Sequence, residues 1–181
     1  MTMKFFPKML KKSFILSFLI FLTGFSQGFQ STADEYNLKA AFIYNFTRFI
    51  EWPVSGVGNN FIIGIVGDSP IDDPLAEIVA TSTVNDKKII ITHFKKAEEI
   101  SFCNILFIPK NSSIPLETVL EKAASKGTLI VSEKEGCGKK GTAINFLIIN
   151  SKLKFEANMK ALNDAGLKVS SQLLKLAIII E

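Results

Sequence analysis

Hydrophobic positions recur at helical spacing from Glu35 to Pro53. Set at about 100° per residue, Leu38, Phe49, Phe42, Phe46, Ile50, Ile43 and Tyr36 fall within an arc of about 160°. That arc is wider than a coiled-coil seam and suits a helix laid on a sheet or on another helix. Asn37, Tyr44, Arg48 and Glu51 take the opposite side. Lys39 interrupts the apolar arc. It either snorkels to water near the helix start or meets a buried carboxylate. Pro53 stops the helix, because a proline pushes the residue before it out of the helical region.

Beyond Pro53 the pattern changes period. Val54 to Asn60 is rich in Gly, Ser and Asn and reads as a loop. Phe61–Val66 is a continuous apolar run, as in a strand buried on both faces. Lys88–Thr92, Cys103–Ile108, Thr128–Val131 and Ala143–Ile149 repeat that character. Helical spacing returns at Ile71–Ser82, at Pro115–Ser125 and at Asn158–Ala165, with Gly166 as a stop. Phe94–Ile100 is short and helical or irregular, and Ser132–Gly141 is polar and glycine-containing. Lys152–Glu156 alternates strictly and follows the two-residue turn Asn150-Ser151, which predicts a hairpin with the preceding strand. Ser170 caps a last predicted helix containing Leu173, Leu174, Leu176, Ala177 and Ile178. Apolar strands alternating with helices indicate an α/β fold. The expectation is a mostly parallel, Rossmann-like central sheet flanked by helices, with a C-terminal antiparallel hairpin at one edge.

The first 26 residues stand apart. Lys4, Lys8, Lys11 and Lys12 precede an apolar stretch, Phe14–Phe25, and Gly24 and Ser26 offer small residues at a cleavage site. This is the pattern of a secretory signal peptide, too short for a spanning helix of ~20 apolar residues. The alternative is an uncleaved anchor. One domain is expected over residues 33–181. Composition then changes the charge picture: the chain carries 21 basic and 17 acidic residues, and four of the basic ones lie in the leader. The remainder is neutral, with no basic surplus for neutralising nucleic-acid phosphates.

Ligands of open α/β sheets sit at the carboxyl ends of strands. Here those ends carry Gly67-Asp68-Ser69, His93, Pro109-Lys110 and Ser132-Glu133. Asp68, Ser69, Ser132 and Glu133 are therefore the candidate ligand pocket. The competing reading is that Asp68 and Ser69 only make a turn and cap the next helix. Dinucleotide, phosphate-loop and nucleophile-elbow motifs do not occur. Gly136-Cys-Gly-Lys-Lys-Gly141 ends at a strand, whereas a phosphate loop opens a helix. His93 is the only histidine, and with Cys103 and Cys137 it has no metal-ligand spacing. No cofactor, metal or catalytic residue is expected. An exported domain with so little catalytic inventory favours a binding or regulatory module. Any partner-binding part of the first helix is expected around Tyr36, Lys39 and Phe42, left uncovered as an apolar patch.

The ordered motifs carry a resemblance. Leu38-Lys-Ala-Ala-Phe-Ile-Tyr-Asn-Phe-Thr-Arg-Phe-Ile-Glu-Trp-Pro53 is followed by Ile63-Gly-Ile-Val-Gly-Asp-Ser-Pro70 and Cys103-Asn-Ile-Leu-Phe-Ile108. Then come Leu129-Ile-Val-Ser-Glu133, Gly141-Thr-Ala-Ile-Asn-Phe146 and Ala165-Gly-Leu-Lys-Val-Ser-Ser-Gln-Leu-Leu-Lys-Leu-Ala177. In this order they resemble the YfiR family of exported proteins, from about Glu35 to Ala177. The resemblance implies a periplasmic, non-enzymatic repressor that binds the sensor domain of a membrane-anchored diguanylate cyclase. Such a repressor holds down cyclic-di-GMP synthesis and biofilm formation. The resemblance also implies homodimers and redox sensitivity through two disulfides. Cys103 and Cys137 fit two of the family's cysteine positions. Their partners would fall near Gly64 and close to Ile144, and neither is cysteine. Neither family disulfide can form here. Cys103 and Cys137 are expected toward opposite ends of the sheet, beyond the ~7 Å Cα separation that a bridge tolerates. A small-molecule-binding domain at the strand ends is the alternative function.

Overall fold

The computed structural model describes residues 32–53, 59–123 and 127–181. The candidate leader lies outside the described residues. Helix α1 (Thr32–Phe49) runs into a two-residue strand β1 (Ile50–Glu51). Strand β2 (Asn60–Val66) leads to helix α2 (Asp72–Thr81), and β3 (Thr83–Val84) turns into β4 (Lys87–Phe94). A 3-10 turn, Ala97–Glu99, precedes β5 (Ile105–Ile108), α3 (Leu116–Lys122) and β6 (Leu129–Ser132). A second 3-10 turn, Gly138–Lys140, precedes β7 (Ile144–Ile149) and β8 (Lys152–Asn158). Helix α4 (Met159–Asp164), β9 (Lys168–Val169), α5 (Ser171–Leu174) and β10 (Ile178–Ile180) complete the described chain.

The main sheet has eight strands in the order β10-β8-β7-β6-β5-β2-β4-β3. Its inner strands run parallel from β7 through β6, β5 and β2 to β4, as the unbroken apolar runs predict. The pairs β7–β8 and β3–β4 are antiparallel, so the sheet is mixed. The predicted hairpin forms, with Asn150 and Ser151 both at positive φ (50° and 58°), as a tight two-residue connection requires. Two expectations are corrected at this side. The hairpin is not the edge, because β10 lies outside it and runs parallel to β8. The predicted last helix is only Ser171–Leu174, and Ile178–Ile180 is a strand. Three consecutive β-branched residues favour extended backbone once an open strand is available to pair with. The short strands β1 and β9 pair antiparallel with each other, tying the exit of α1 to the C-terminal segment.

Alternation along the strands divides the core into two. Ile63, Ile65, Ile105, Phe107, Leu129, Val131, Ile144 and Phe146 face the layer containing α1, with Leu75 of α2 and Leu173 of α5 in the same cluster. Val66, Leu106 and Ile108 face the other side, against Phe94, Cys103 and Val119 of α3. Gly64 is closely packed on that second face. A Cβ there would fall 2.6 Å from the Phe94 ring and 3.1 Å from Cys103 Sγ.

Helix α1 behaves as its arc predicts over most of its length. Ala40, Ile43 and Phe46 are fully buried, whereas Phe42 and Phe49 are half-buried against the same core. Phe42 and Phe46 mesh with Phe146 and Phe155, at ring-centroid distances from 5.5 to 6.2 Å. Leu38, assigned to the apolar arc, is exposed instead. The uncovered patch expected around Tyr36 and Lys39 is not there. Both side chains are turned inward, with only 2 % and 3 % of their surface accessible.

Candidate functional site

Tyr36 and Lys39 are buried because a carboxylate waits for them. Strand β6 ends at Ser132, and the alternation of faces sends the next side chain, Glu133, toward α1. Glu133 is fully buried as a side chain. Its Oε1 accepts hydrogen bonds from Tyr36 Oη at 3.1 Å and from the backbone N–H of Lys110 at 3.1 Å. Its Oε2 takes the Lys39 ammonium, which also pairs with Glu35 one turn earlier on α1. The Lys39 Nζ sits 4.5 Å from the centre of the Tyr36 ring, a cation–π distance. An ion this deep is tolerable only when paired and hydrogen-bonded, and no buried side-chain polar atom among the described residues lacks a partner. Burial, and then the Glu133 charge, push the Tyr36 hydroxyl pKa well above its ordinary value of 10.0.

The cluster lines a cavity of about 510 Å³ at the carboxyl end of the sheet. Glu35, Lys39, Lys110, Glu133 and Glu135 form its polar side, and Phe146, Ile148 and Ile149 its apolar side. Two groups of residues proposed separately from sequence, Tyr36 with Lys39 and Glu133, therefore meet in one place. Ser132 is adjacent in sequence but faces the other layer. Its Oγ bonds Thr142 Oγ1 at 2.8 Å and Asn145 Oδ1 at 2.7 Å, while Asn145 donates to Glu156 at 3.0 Å. That chain fixes the 133–142 loop on the sheet. Asp68 and Ser69 are not in the cavity lining. Ser69 Oγ accepts from the Ile71 N–H and Asp72 accepts from the Ser69 N–H, both at 3.3 Å, which is the turn role without the cap: Ile71 is the N-cap of α2 and no side chain caps that end. Asp68 is solvent-exposed, with Lys95 3.9 Å away. His93 is exposed and bonded to Asp72 at 2.7 Å.

Both cysteines are buried and free. Cys103 packs beside Gly64, and burial pushes its thiol pKa up to about 12. Cys137 lies in the 133–142 loop near Ser132, and burial raises its pKa too, against the opposing charges of Lys134 and Lys140. Neither is in the electropositive, accessible setting of a reactive thiol. Among the described residues no three metal-capable side chains gather.

A second concave region had not been singled out from the sequence. Two cavities of about 540 and 480 Å³ adjoin beside the end of α1 and share Thr47, Arg48, Val84 and Asn85. Trp52 lines one and Tyr44 the other. Arg48 takes part in none of the ion pairs among the described residues. The available signal was that the chain's only arginine and only tryptophan lie four positions apart at a helix end.

These features define an α/β domain whose polar interior is spent on holding elements together, with concave surfaces suited to binding. The comparison with protein families narrows the class. A family model described as YfiR/HmsC-like matches residues 36–178, and the chain belongs to that family. The family is one of periplasmic regulators associated with cyclic-di-GMP signalling.

Proposed function

We propose that the protein is a non-enzymatic periplasmic regulator that binds and represses a membrane-anchored sensor, a diguanylate cyclase. Repression lowers cyclic-di-GMP synthesis and so restrains biofilm formation. The observation carrying this reading is the family match, which takes in nearly every described element from α1 to β10. The groove at Tyr44, Arg48 and Trp52 supports a protein partner, since Trp, Tyr and Arg dominate binding energy at interfaces. The regulator is exported by residues 1–26 and acts as a homodimer. The test is deletion of the gene in its own organism. Cyclic-di-GMP and biofilm should rise, and return to normal when the wild-type gene is restored. Unchanged cyclic-di-GMP in the deletion strain would sink the cyclase reading.

The cavity beside Glu133 favours a second reading, a small-molecule-binding domain. Its volume and its mixed polar and apolar walls are those of a ligand site. A ligand that binds only the folded state raises the melting temperature. A metabolite screen by thermal shift that leaves the melting temperature unmoved at millimolar ligand removes this reading.

A further inference from the structure

The two adjoining cavities beside the end of α1 differ in their chemistry. The smaller, about 480 Å³, lies between the last turns of α1 and the segment that leads from the end of α2 through β3. Arg48 lines it together with the polar side chains of Tyr44, Thr47, Thr81, Ser82, Thr83 and Asn85. No described residue in that lining is acidic. The Arg48 guanidinium lies 6.0 Å from the centre of the Tyr44 ring, one turn earlier on the helix, at a cation–π distance. Lys39 at the other end of α1 is met by Glu35 and Glu133, and His93 by Asp72. Arg48 has hydroxyls and an amide around it and no carboxylate among them. The larger cavity, about 540 Å³, continues past Arg48 to Trp52 and Phe61. The indole meets Phe61 edge-on at 5.2 Å, and its Nε1 donates to the Asn104 carbonyl at 3.1 Å, so its position is fixed. Glu51 and Lys87 balance each other in this second lining.

We propose that this region docks an acidic segment of the repressed sensor, with a carboxylate held by Arg48 and an apolar neighbour laid on Trp52. This rests on the repressor reading above and names the chemistry of its partner. Charge selects the occupant. A guanidinium presents paired N–H donors that match a carboxylate bidentately, and hydroxyls donate to the lone pairs that the fork leaves. A basic or wholly apolar segment would take Arg48 out of water without a counter-charge, a cost that an acidic segment removes. Shape selects a chain over a free anion. A carboxylate alone fills a small part of the first cavity and none of the second. The two cavities share Thr47, Arg48, Val84 and Asn85, so an extended segment passes from one into the other.

The test uses the deletion strain and the cyclase whose removal abolishes the rise in cyclic-di-GMP there. The restored wild-type gene should return cyclic-di-GMP to normal. Arg48→Glu should leave it at the deletion level, and Arg48→Lys, which keeps the charge without the fork, should fall between. Both variants should keep the wild-type melting temperature to within a few degrees, because Arg48 is exposed. Lys154→Glu, on the β7–β8 hairpin and outside both cavities, should repress fully. Suppressors of Arg48→Glu selected in the cyclase should replace an Asp or Glu of its periplasmic part by Lys or Arg. Binding of the purified chain to the solubilised cyclase should weaken at least tenfold in Arg48→Glu, and in the wild type should weaken as salt rises. Full repression by Arg48→Glu overturns the proposal and leaves the repressor reading standing. A wild-type gene that fails to lower cyclic-di-GMP overturns the repressor reading itself. If millimolar acetate or inorganic phosphate raises the melting temperature of the wild type but not of Arg48→Glu, while both bind the cyclase alike, the region is a small-anion site and the proposal falls.

Discussion

The two halves of α1 are anchored by opposite chemistry. The C-terminal half offers Phe42, Ile43 and Phe46 to an aromatic and aliphatic surface that includes Phe146 and Phe155. The N-terminal half offers Tyr36 and Lys39 to the buried carboxylate of Glu133. The first contact gains from water excluded and from close ring packing. The second removes a carboxylate and an ammonium from water, and its attraction must first offset that desolvation. The aromatic half should therefore supply net stability. The ionic half should mainly dictate where the helix start sits, since only one position of α1 satisfies Glu133.

The largest effect should come from Phe46→Ala. The ring is fully buried, and its removal costs the lost transfer energy plus a cavity, about 3–5 kcal/mol. Glu133→Ala should come next, at about 3 kcal/mol, near the low end for breaking a buried pair because Lys39 keeps Glu35. Both are read from denaturant midpoints at constant slope. The comparison is sharpest in the double variant Lys39→Met with Glu133→Leu. Replacing both charges by apolar groups of similar volume should bring stability back to within about 1 kcal/mol of wild type. A double variant as unstable as Glu133→Ala would mean that the ionic half stabilises the fold in its own right.

The same contrast decides what could be read from the sequence. The aromatic half was legible because periodicity is local: Phe42, Phe46 and Phe49 mark a face whatever lies opposite. Lys39 on that face was legible as an anomaly, with water or a carboxylate as its two resolutions. Glu133 was legible separately as a residue at a strand end. Their union was not, because 94 positions separate them and nothing local couples them. The hairpin at Asn150-Ser151 was legible from strict alternation. Strand β10 was not, since Leu173 to Ile180 is apolar but for Lys175 and so short a run has no period to separate strand from helix. The two-residue strands β1 and β9 are too short to have a period at all. Asp68 and Ser69 were grouped with Ser132 and Glu133 because all follow parallel strands, but the ends of β2 and β6 are separated by β5. Ser132 and Glu133 themselves face opposite layers, as consecutive residues leaving a strand must.

The smallest effect is a titration within the ionic half, and it separates burial from the neighbouring carboxylate as causes of the raised Tyr36 pKa. Burial and the neighbouring carboxylate both disfavour the phenolate, so Tyr36 in the folded protein keeps its proton well above pH 10. The unfolded chain has no such environment and releases that proton near the ordinary 10.0. Above that pH the unfolded state binds fewer protons than the native state, so stability falls as pH rises, and is undiminished below it. In a Tyr44→Phe background the phenolate absorbance reports Tyr36 alone, because the chain has two tyrosines. The native signal should appear only well above pH 10 and coincide with unfolding. Adding Glu133→Gln should move it part of the way back, because the carboxylate charge is removed while the larger cause, burial, stays. If Tyr36 titrates at its ordinary value in the folded chain, the helix start is open to water and the two halves of α1 are not the contrasting anchors described. If Glu133→Gln leaves the titration unmoved, burial alone holds the Tyr36 proton and the Glu133 carboxylate contributes nothing to it.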